Sequence, residues 1–153
     1  MENEIKILIQ TRQNILYSIE DLSIEELNKV PQGFRNSIFW NVAHVVVTQQ
    51  LLHYFLSEND MYIANHLVAK YKKGTFFEES ATKDEIQNFK ELLIETPIVL
   101  KSDYKRKIFD NFKEYPTSYG ITLNSIDDAI RFNNVHEGLH FGYILAMKKS
   151  VLI

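Results

Sequence analysis

Residues 125–147, SIDDAIRFNNVHEGLHFGYILAM, contain the strongest structural signal in this chain. Ser125 followed by Asp128 is a helix start signal, because short polar side chains cap the free backbone amides of a first turn. Apolar side chains then recur three or four positions apart, which is the period of one helix face. They include Ile126, Ala129, Ile130, Phe132, Ile144 and Met147. The stretch predicts a long helix whose apolar face packs against other helices.

Two earlier segments show the same helical period. The first runs from Ile5 to Leu22. The second begins at a cap formed by Asn36 or Ser37 and runs to about Leu56, with apolar residues around much of its circumference. Three adjoining valines at 45–47 also suit a strand, but the length of the segment and its cap favour a helix. A helix of this composition belongs in a protein core.

A third main helix begins at the cap pair Thr82 and Glu85. Its apolar residues continue to Tyr104, although Pro97 predicts a kink or a break on the way, because proline lacks the backbone N–H that a helix interior needs. A shorter helical element at 23–28 opens on a capping box of the same kind. With the last helix, these segments make four main helices.

Two long connections join these helices. Residues 57–81 are mixed in composition and predict a long connection with a short helix in it. Residues 107–123 are rich in aromatic side chains and predict either a loop or a pair of short extended pieces. Without repeats or an obvious linker, the chain predicts one all-α domain over residues 1–153, a four-helix bundle. Long connections in compact domains are often functional.

The composition excludes several kinds of function. The chain has no cysteine, which rules out disulfides, thiolate catalysis and cysteine-bound metal. A net charge of −3 with mixed signs gives no basic surface for nucleic acid. Residues 1–6, MENEIK, lack the basic start of a secretory signal, and no apolar run approaches the length of a membrane span. We therefore expect a cytoplasmic protein without a membrane or nucleic-acid partner.

Three histidines are the candidate functional residues. His136 and His140 lie one helical turn apart, so both side chains share one helix face. His44 lies in the otherwise apolar second main helix, where a buried imidazole needs a partner. That partner is either a metal ion or a hydrogen-bonding group such as Thr48 or a backbone carbonyl. If all three imidazoles meet, they make a three-nitrogen metal site with an open position.

The residues around these histidines lead to further expectations. Gly138 and Gly142 each weaken a helix, so we expect them to serve close packing against a neighbouring helix. Glu137 is turned about 100° from His136, so we expect it to meet solvent or another subunit. His53 lies on the opposite side of its helix from His44, and His66 is expected at the surface. Neither of them enters the predicted site.

Four polar residues lie on the same faces as the candidate ligands, and two interpretations of them stay open. They either orient the imidazoles and contact substrate, or they are polar side chains that find hydrogen bonds inside a bundle. These residues are Asn41, Thr48, Asn133 and Tyr143.

Residues 38–44, IFWNVAH, and residues 136–140, HEGLH, give the chain a recognisable likeness. In their sequence and order they resemble the DinB-like superfamily of damage-inducible and thiol-transferase proteins, and the resemblance spans nearly the whole chain. It implies a four-helix bundle. It also implies that His44, His136 and His140 bind one divalent metal, usually zinc or nickel in this family, with water or substrate completing the coordination.

The resemblance also suggests an activity. Some members are bacillithiol-dependent transferases or a mycothiol-dependent isomerase, which implies a metal-dependent thiol S-transferase, or a hydrolase, acting on a small electrophile with a low-molecular-weight thiol. It suggests a homodimer as well. The alternative is a stress-associated bundle that holds a metal or an apolar ligand without catalysis. In that case the aromatic residues 109–119 would cover a pocket.

Overall fold

The structure, a computed structural model, describes residues 1–152 and confirms the all-α prediction. The helices are α1 (Glu2–Ile19), α2 (Ile24–Asn28), α3 (Ile38–Gln50), α4 (Asn65–Tyr71), α5 (Lys83–Lys105) and α6 (Ile126–Val151). A π-helical turn, Leu51–Phe55, directly continues α3. Two short strands, β1 (Tyr115–Pro116) and β2 (Thr122–Leu123), pair antiparallel.

The four long helices form the bundle. Helix α1 packs on α5 and α6, and α3 packs on the same two helices from the other side. Every residue of α3 from Ile38 to Val47 is buried, which explains why its composition is apolar all round. The valines at 45–47 are helical, because tertiary burial on every side outweighs their preference for strands.

Side-chain caps set the beginnings of three bundle helices. The Ser37 hydroxyl accepts from the Trp40 amide at the start of α3, so Ser37 is the cap, while Asn36 accepts from the amide of Phe77. The other caps are Thr82 for α5 and Ser125 for α6, as the sequence predicts. These hydroxyls satisfy backbone amides that lack partners inside the helix.

The predicted end of the first helix is wrong. Helix α1 ends at Ile19, and the chain turns there, with the Leu22 amide donating to the Ile19 carbonyl. Leu22 still contributes to the core, so it continues the apolar pattern from outside the helix. The spacing of apolar residues indicates which positions are buried, and a residue in a turn can be buried just as one in a helix can.

Pro97 does not break the third main helix. Helix α5 continues through it to Lys105, and Pro97 is buried. Proline removes the N–H that would bond the carbonyl four residues earlier, which belongs to Leu93. That carbonyl accepts from Arg12 Nη1 of α1, at 3.4 Å, so a neighbouring helix supplies the missing donor.

The two long connections have the structure that the sequence predicts. The first contains α4, and the second contains the hairpin of β1 and β2. Side chains of the hairpin and its approach pack on the π-helical turn and on α6. The Lys113 amide also donates to the Leu56 carbonyl at 2.7 Å, which fixes the hairpin over the end of the turn. Within residues 1–152, no helix is both long and apolar enough to pass through a bilayer.

Candidate metal centre

Three histidines from two helices meet inside the bundle. Helix α3 provides His44, and α6 provides His136 and His140; together we call them the histidine cluster. His44 Nε2 lies 3.2 Å from His136 Nε2, and one ring nitrogen from each histidine lies within 4.8 Å of the others. The helical spacing of the pair on α6 and the packing of α3 against α6 bring the three rings together.

The hydrogen bond of His44 determines which of its nitrogens has a free lone pair. His44 Nδ1 lies 2.7 Å from the backbone carbonyl of Tyr71 at the end of α4. A carbonyl only accepts, so Nδ1 must be the protonated nitrogen of the neutral ring, and Nε2 is left with its lone pair. The Thr48 hydroxyl lies 3.3 Å from that Nε2. His44 therefore presents an unprotonated nitrogen to the other two histidines.

Asn41 fixes His140 in the same way. The Asn41 amide nitrogen donates to the Ser37 carbonyl at 2.9 Å, so its oxygen is the atom that faces His140. His140 Nδ1 lies 2.8 Å from that oxygen and must donate to it. The Nε2 of His140 is consequently unprotonated. Two of the three imidazoles are thus oriented by oxygen acceptors, an arrangement typical of metal-binding histidines.

Burial keeps these imidazoles neutral. Burial first, and then the nearby positive forms of His140 and His44, lower the pKa of His136 to about 2. Burial first, and then His44, lowers the pKa of His140 to about 3. Burial also lowers the pKa of His44. Neutral imidazole is the form that binds a metal ion, and imidazole ligands suit several first-row transition metals, among them zinc, copper, iron and nickel.

A buried ion pair lies behind the histidine cluster. Glu137 is fully buried, which corrects the expectation that it meets solvent or another subunit. Its carboxylate accepts from Arg12 Nε at 2.6 Å and from Arg12 Nη2 at 2.8 Å, while Asn133 donates to it at 2.8 Å. Arg12 Nη2 also donates to the carbonyl of Val45, the residue after His44. The pair ties α1, α3 and α6 together at the level of the cluster.

The sequence contains a signal for this ion pair, although the expectation for Glu137 did not take it into account. Arg12 lies on the buried stripe of α1, between Leu8 and Ile15. A charged residue on an apolar helix face needs a buried partner of opposite charge. The chain offers Glu137, which is turned away from the histidines and toward α1.

The two glycines of α6 do not serve close packing against another helix of the same chain, contrary to the prediction. A Cβ built at Gly138 or Gly142 meets nothing within 4 Å among the described residues. Both glycines lie on the exposed outer face of α6. Tyr143 is also half exposed and packs edge-on against Phe34, with ring centroids 6.0 Å apart. The sequence could not show which side of α6 lacks a neighbour within the chain.

The two remaining histidines lie outside the cluster. His53 belongs to the π-helical turn and is fully buried. His66 is exposed on α4, as the sequence predicts. Among the polar residues left open, Asn41 and Thr48 contact the cluster, and Asn133 contacts Glu137 instead.

A cavity of about 430 Å³ opens beside the cluster, and all three histidines line it. The π-helical turn and the aromatic hairpin form much of its wall, from residues Leu51, Leu52, Phe55, Leu56, Tyr115 and Tyr119. Its volume lies in the range of about 300–1,000 Å³ that is usual for small-molecule sites. The cluster therefore faces a space that a small ligand can enter.

Comparison with known proteins gives one result that bears on identity. A family model described as the DinB superfamily matches residues 7–144, which include the four long helices in large part and all three histidines. No curated protein matches the chain. Because the family match covers most of the sequence and agrees with the fold, the chain belongs to the DinB superfamily.

Proposed function

We propose that His44, His136 and His140 hold one divalent metal ion, zinc or nickel. The observation that supports this most strongly is the orientation of two imidazoles. The Nδ1 atoms of His44 and His140 bond to oxygen acceptors, so their unprotonated Nε2 atoms turn toward His136. The donors nearest the His44 lone pair are the Thr48 hydroxyl and a His136 ring protonated at Nε2, whereas one divalent cation would satisfy all three imidazoles at once.

The proposed activity is that of a metal-dependent thiol S-transferase or hydrolase acting on a small electrophile. A divalent ion held by three neutral nitrogens lowers the pKa of a water or thiol bound at its open position. The chain's own contribution is to orient the imidazoles through Asn41 and Tyr71 and to exclude water with the apolar cavity wall. A low-molecular-weight thiol is the proposed co-substrate.

The alternative is a stress-associated binding protein without turnover. The apolar cavity beside the cluster favours it, because a pocket that binds an apolar ligand needs no catalytic group. Tyr115 and Tyr119 of the aromatic segment line that cavity. The two functions share the metal site and differ only in chemistry.

Metal analysis tests the shared part of the proposal. Protein purified without a histidine tag should take up about one zinc or nickel ion per chain. His140→Ala should lose that ion, because two imidazoles alone bind zinc weakly. His66→Ala, an exposed histidine outside the cluster, is the matched control and should keep it. Failure of the unaltered protein to bind either metal would refute both forms of the proposal.

Turnover separates the enzyme from the binding protein. The metal-loaded protein is screened for conjugation of bacillithiol, glutathione or coenzyme A to a chromogenic electrophile. The enzyme proposal expects a rate that disappears in His140→Ala and persists in His66→Ala. Equal rates in both variants would leave only the binding function.

We also propose that the chain is one cytoplasmic domain that forms a homodimer. The outer face of α6 supports the dimer, since Val135, Leu139 and Leu145 are each more than two-fifths exposed beside Gly138 and Gly142. Small residues let two helices approach closely. Light scattering should give about twice the chain mass of 18.0 kDa, and a mass equal to one chain would contradict the dimer.

A further inference from the structure

The cavity beside the histidine cluster has an unusual distribution of charge. Of the lining residues, all within the described part of the chain, Lys73 alone is charged at neutral pH, and no carboxylate is among them. Lys70, three residues earlier, pairs with Glu79 and Glu85, whereas Lys73 enters no ion pair within residues 1–152. The Lys73 side chain is exposed, and no carboxylate of the described residues pairs with it.

The metal ion proposed for the histidine cluster would add positive charge at the inner end of the cavity. The three imidazoles are neutral ligands, so they do not reduce the charge of a divalent ion held between them. Lys73 lines the same cavity as the three histidines. An anionic group placed between the cluster and Lys73 would meet complementary charge on both sides.

The body of the cavity has the opposite character. The π-helical turn contributes Leu51, Leu52 and Phe55 to its wall, and Leu56 directly follows the turn. Helix α6 adds Phe132 and Leu139. The hydroxyls of Thr117 and Ser118 come from the hairpin loop, and Ser118 is exposed. Polar groups pressed against the leucines would lose hydrogen bonds to water without replacement. The body of the cavity thus fits a hydrocarbon.

We propose that this cavity binds a small amphiphilic anion, with its carboxylate or thiolate head between the histidine cluster and Lys73 and its aliphatic body along the π-helical turn. The proposal rests on the metal site proposed above for the placement of the head. The position of the body depends only on residues of the chain. The ligand class is that of a short-chain or medium-chain aliphatic acid or thiol.

Calorimetry of the zinc-loaded protein with butanoate, hexanoate and octanoate tests the apolar body. Each buried methylene should tighten binding about threefold to fourfold. Octanol, which has the same body without the charge, should bind at least about tenfold more weakly than octanoate, because it lacks the charged head. Equal affinities for the three acids, or for octanol and octanoate, would overturn the proposal.

Lys73→Gln tests the position of the head, and Lys72→Gln is its control, since Lys72 is exposed and does not line the cavity. Lys73 is exposed, so we expect Lys73→Gln to weaken octanoate about twofold to fivefold, as for an exposed ion pair, and to leave octanol unchanged. Lys72→Gln should affect neither ligand. An equal loss in both variants, or no loss in Lys73→Gln, would contradict a head beside Lys73.

The zinc content of each sample separates this proposal from the metal site. A chain that binds zinc but shows no preference for longer acids refutes the amphiphile and leaves the metal site intact. A chain that takes up no metal refutes the metal site. The series is then repeated on the metal-free protein, where the dependence on chain length should persist with weaker binding, and its absence would refute the amphiphile independently.

Discussion

At the scale of single residues, the salt bridge between Arg12 and Glu137 places two charged groups inside the bundle. Both side chains are fully buried, and the guanidinium meets the carboxylate through two hydrogen bonds. Glu137→Leu leaves the Arg12 charge without its partner, so we expect the free energy of unfolding to fall by about 3–5 kcal/mol. Urea denaturation of the metal-free protein measures this loss.

The double variant Arg12→Met with Glu137→Leu is the control for that experiment. It removes both charges and replaces them with apolar side chains, so it should recover most of the lost stability. If the double variant is as unstable as Glu137→Leu, the loss comes from packing or from the other hydrogen bonds of Arg12 and Glu137, and the electrostatic explanation is wrong.

Asn41 leads to a second prediction at this scale. Its oxygen accepts from His140 Nδ1 and so holds the ring with Nε2 toward the cluster. We expect Asn41→Ala to weaken zinc binding about 10-fold to 100-fold, as is usual when the group behind a metal-binding histidine is removed. Competition with a chromogenic chelator measures the affinity. Asn134→Ala, whose side chain bonds to Glu4 on α1, is the control and should bind zinc normally; an unchanged affinity in Asn41→Ala would contradict the orienting role.

The sequence allowed the three histidines to be predicted, but not the groups that orient them. A pair at i and i+4 shares a helix face in any fold, so the relation of His136 to His140 follows from local geometry. The bond from His44 to the Tyr71 carbonyl joins residues 27 positions apart and depends on how α4 returns to the bundle. Glu137 shows the same limit, because its partner Arg12 lies 125 residues away.

At the scale of helices and turns, Pro97 gives a prediction about α5. The ring withholds the donor for the Leu93 carbonyl, and Arg12 replaces it only at 3.4 Å. Pro97→Ala restores the helical hydrogen bond, so we expect the free energy of unfolding to rise by about 1–3 kcal/mol. Ile98→Ala, at the exposed neighbouring position, should change it by less than about 0.5 kcal/mol. Destabilisation by Pro97→Ala would mean that the packing of the buried ring matters more than the missing bond.

The capping residues and the apolar period predict the main helices, but neither feature predicts the π-helical turn. The apolar pattern through Leu56 reads as one helix, because leucines at 51, 52 and 56 suit both an α-helical face and a π-helical one. The wider turn forms where the chain packs against α6 and the hairpin, which are distant in sequence. The π-helical turn also forms much of the cavity wall. The sequence pattern therefore did not predict the part of the candidate site that depends most on tertiary packing.

At the scale of the whole molecule, buried neutral histidine links stability to pH. Burial lowers the pKa of His53 to about 3 in the folded protein, from an ordinary value of 6.5 that the unfolded chain keeps. Between about pH 6.5 and pH 3 the unfolded state therefore holds one more proton at this position than the folded state. Protons then favour unfolding, so the stability that His53 allows at neutral pH is lost as the pH falls through this window, at up to about 1.4 kcal/mol per pH unit.

His53→Leu should remove this dependence, because leucine fills much of the same space and cannot take up a proton. Urea denaturation between pH 5.5 and pH 3.5, with a chelator present, gives the slope of the free energy of unfolding against pH. We expect this slope to be smaller in the variant by about 1.4 kcal/mol per pH unit. The carboxylates and the three histidines of the cluster titrate in both proteins, so only the difference between the slopes is interpreted. His66→Leu, at an exposed position on α4, is the control and should keep the original slope. Parallel curves for His53→Leu and the unaltered protein would show that the imidazole takes up its proton inside the fold, and the buried, uncharged state of His53 would then be refuted.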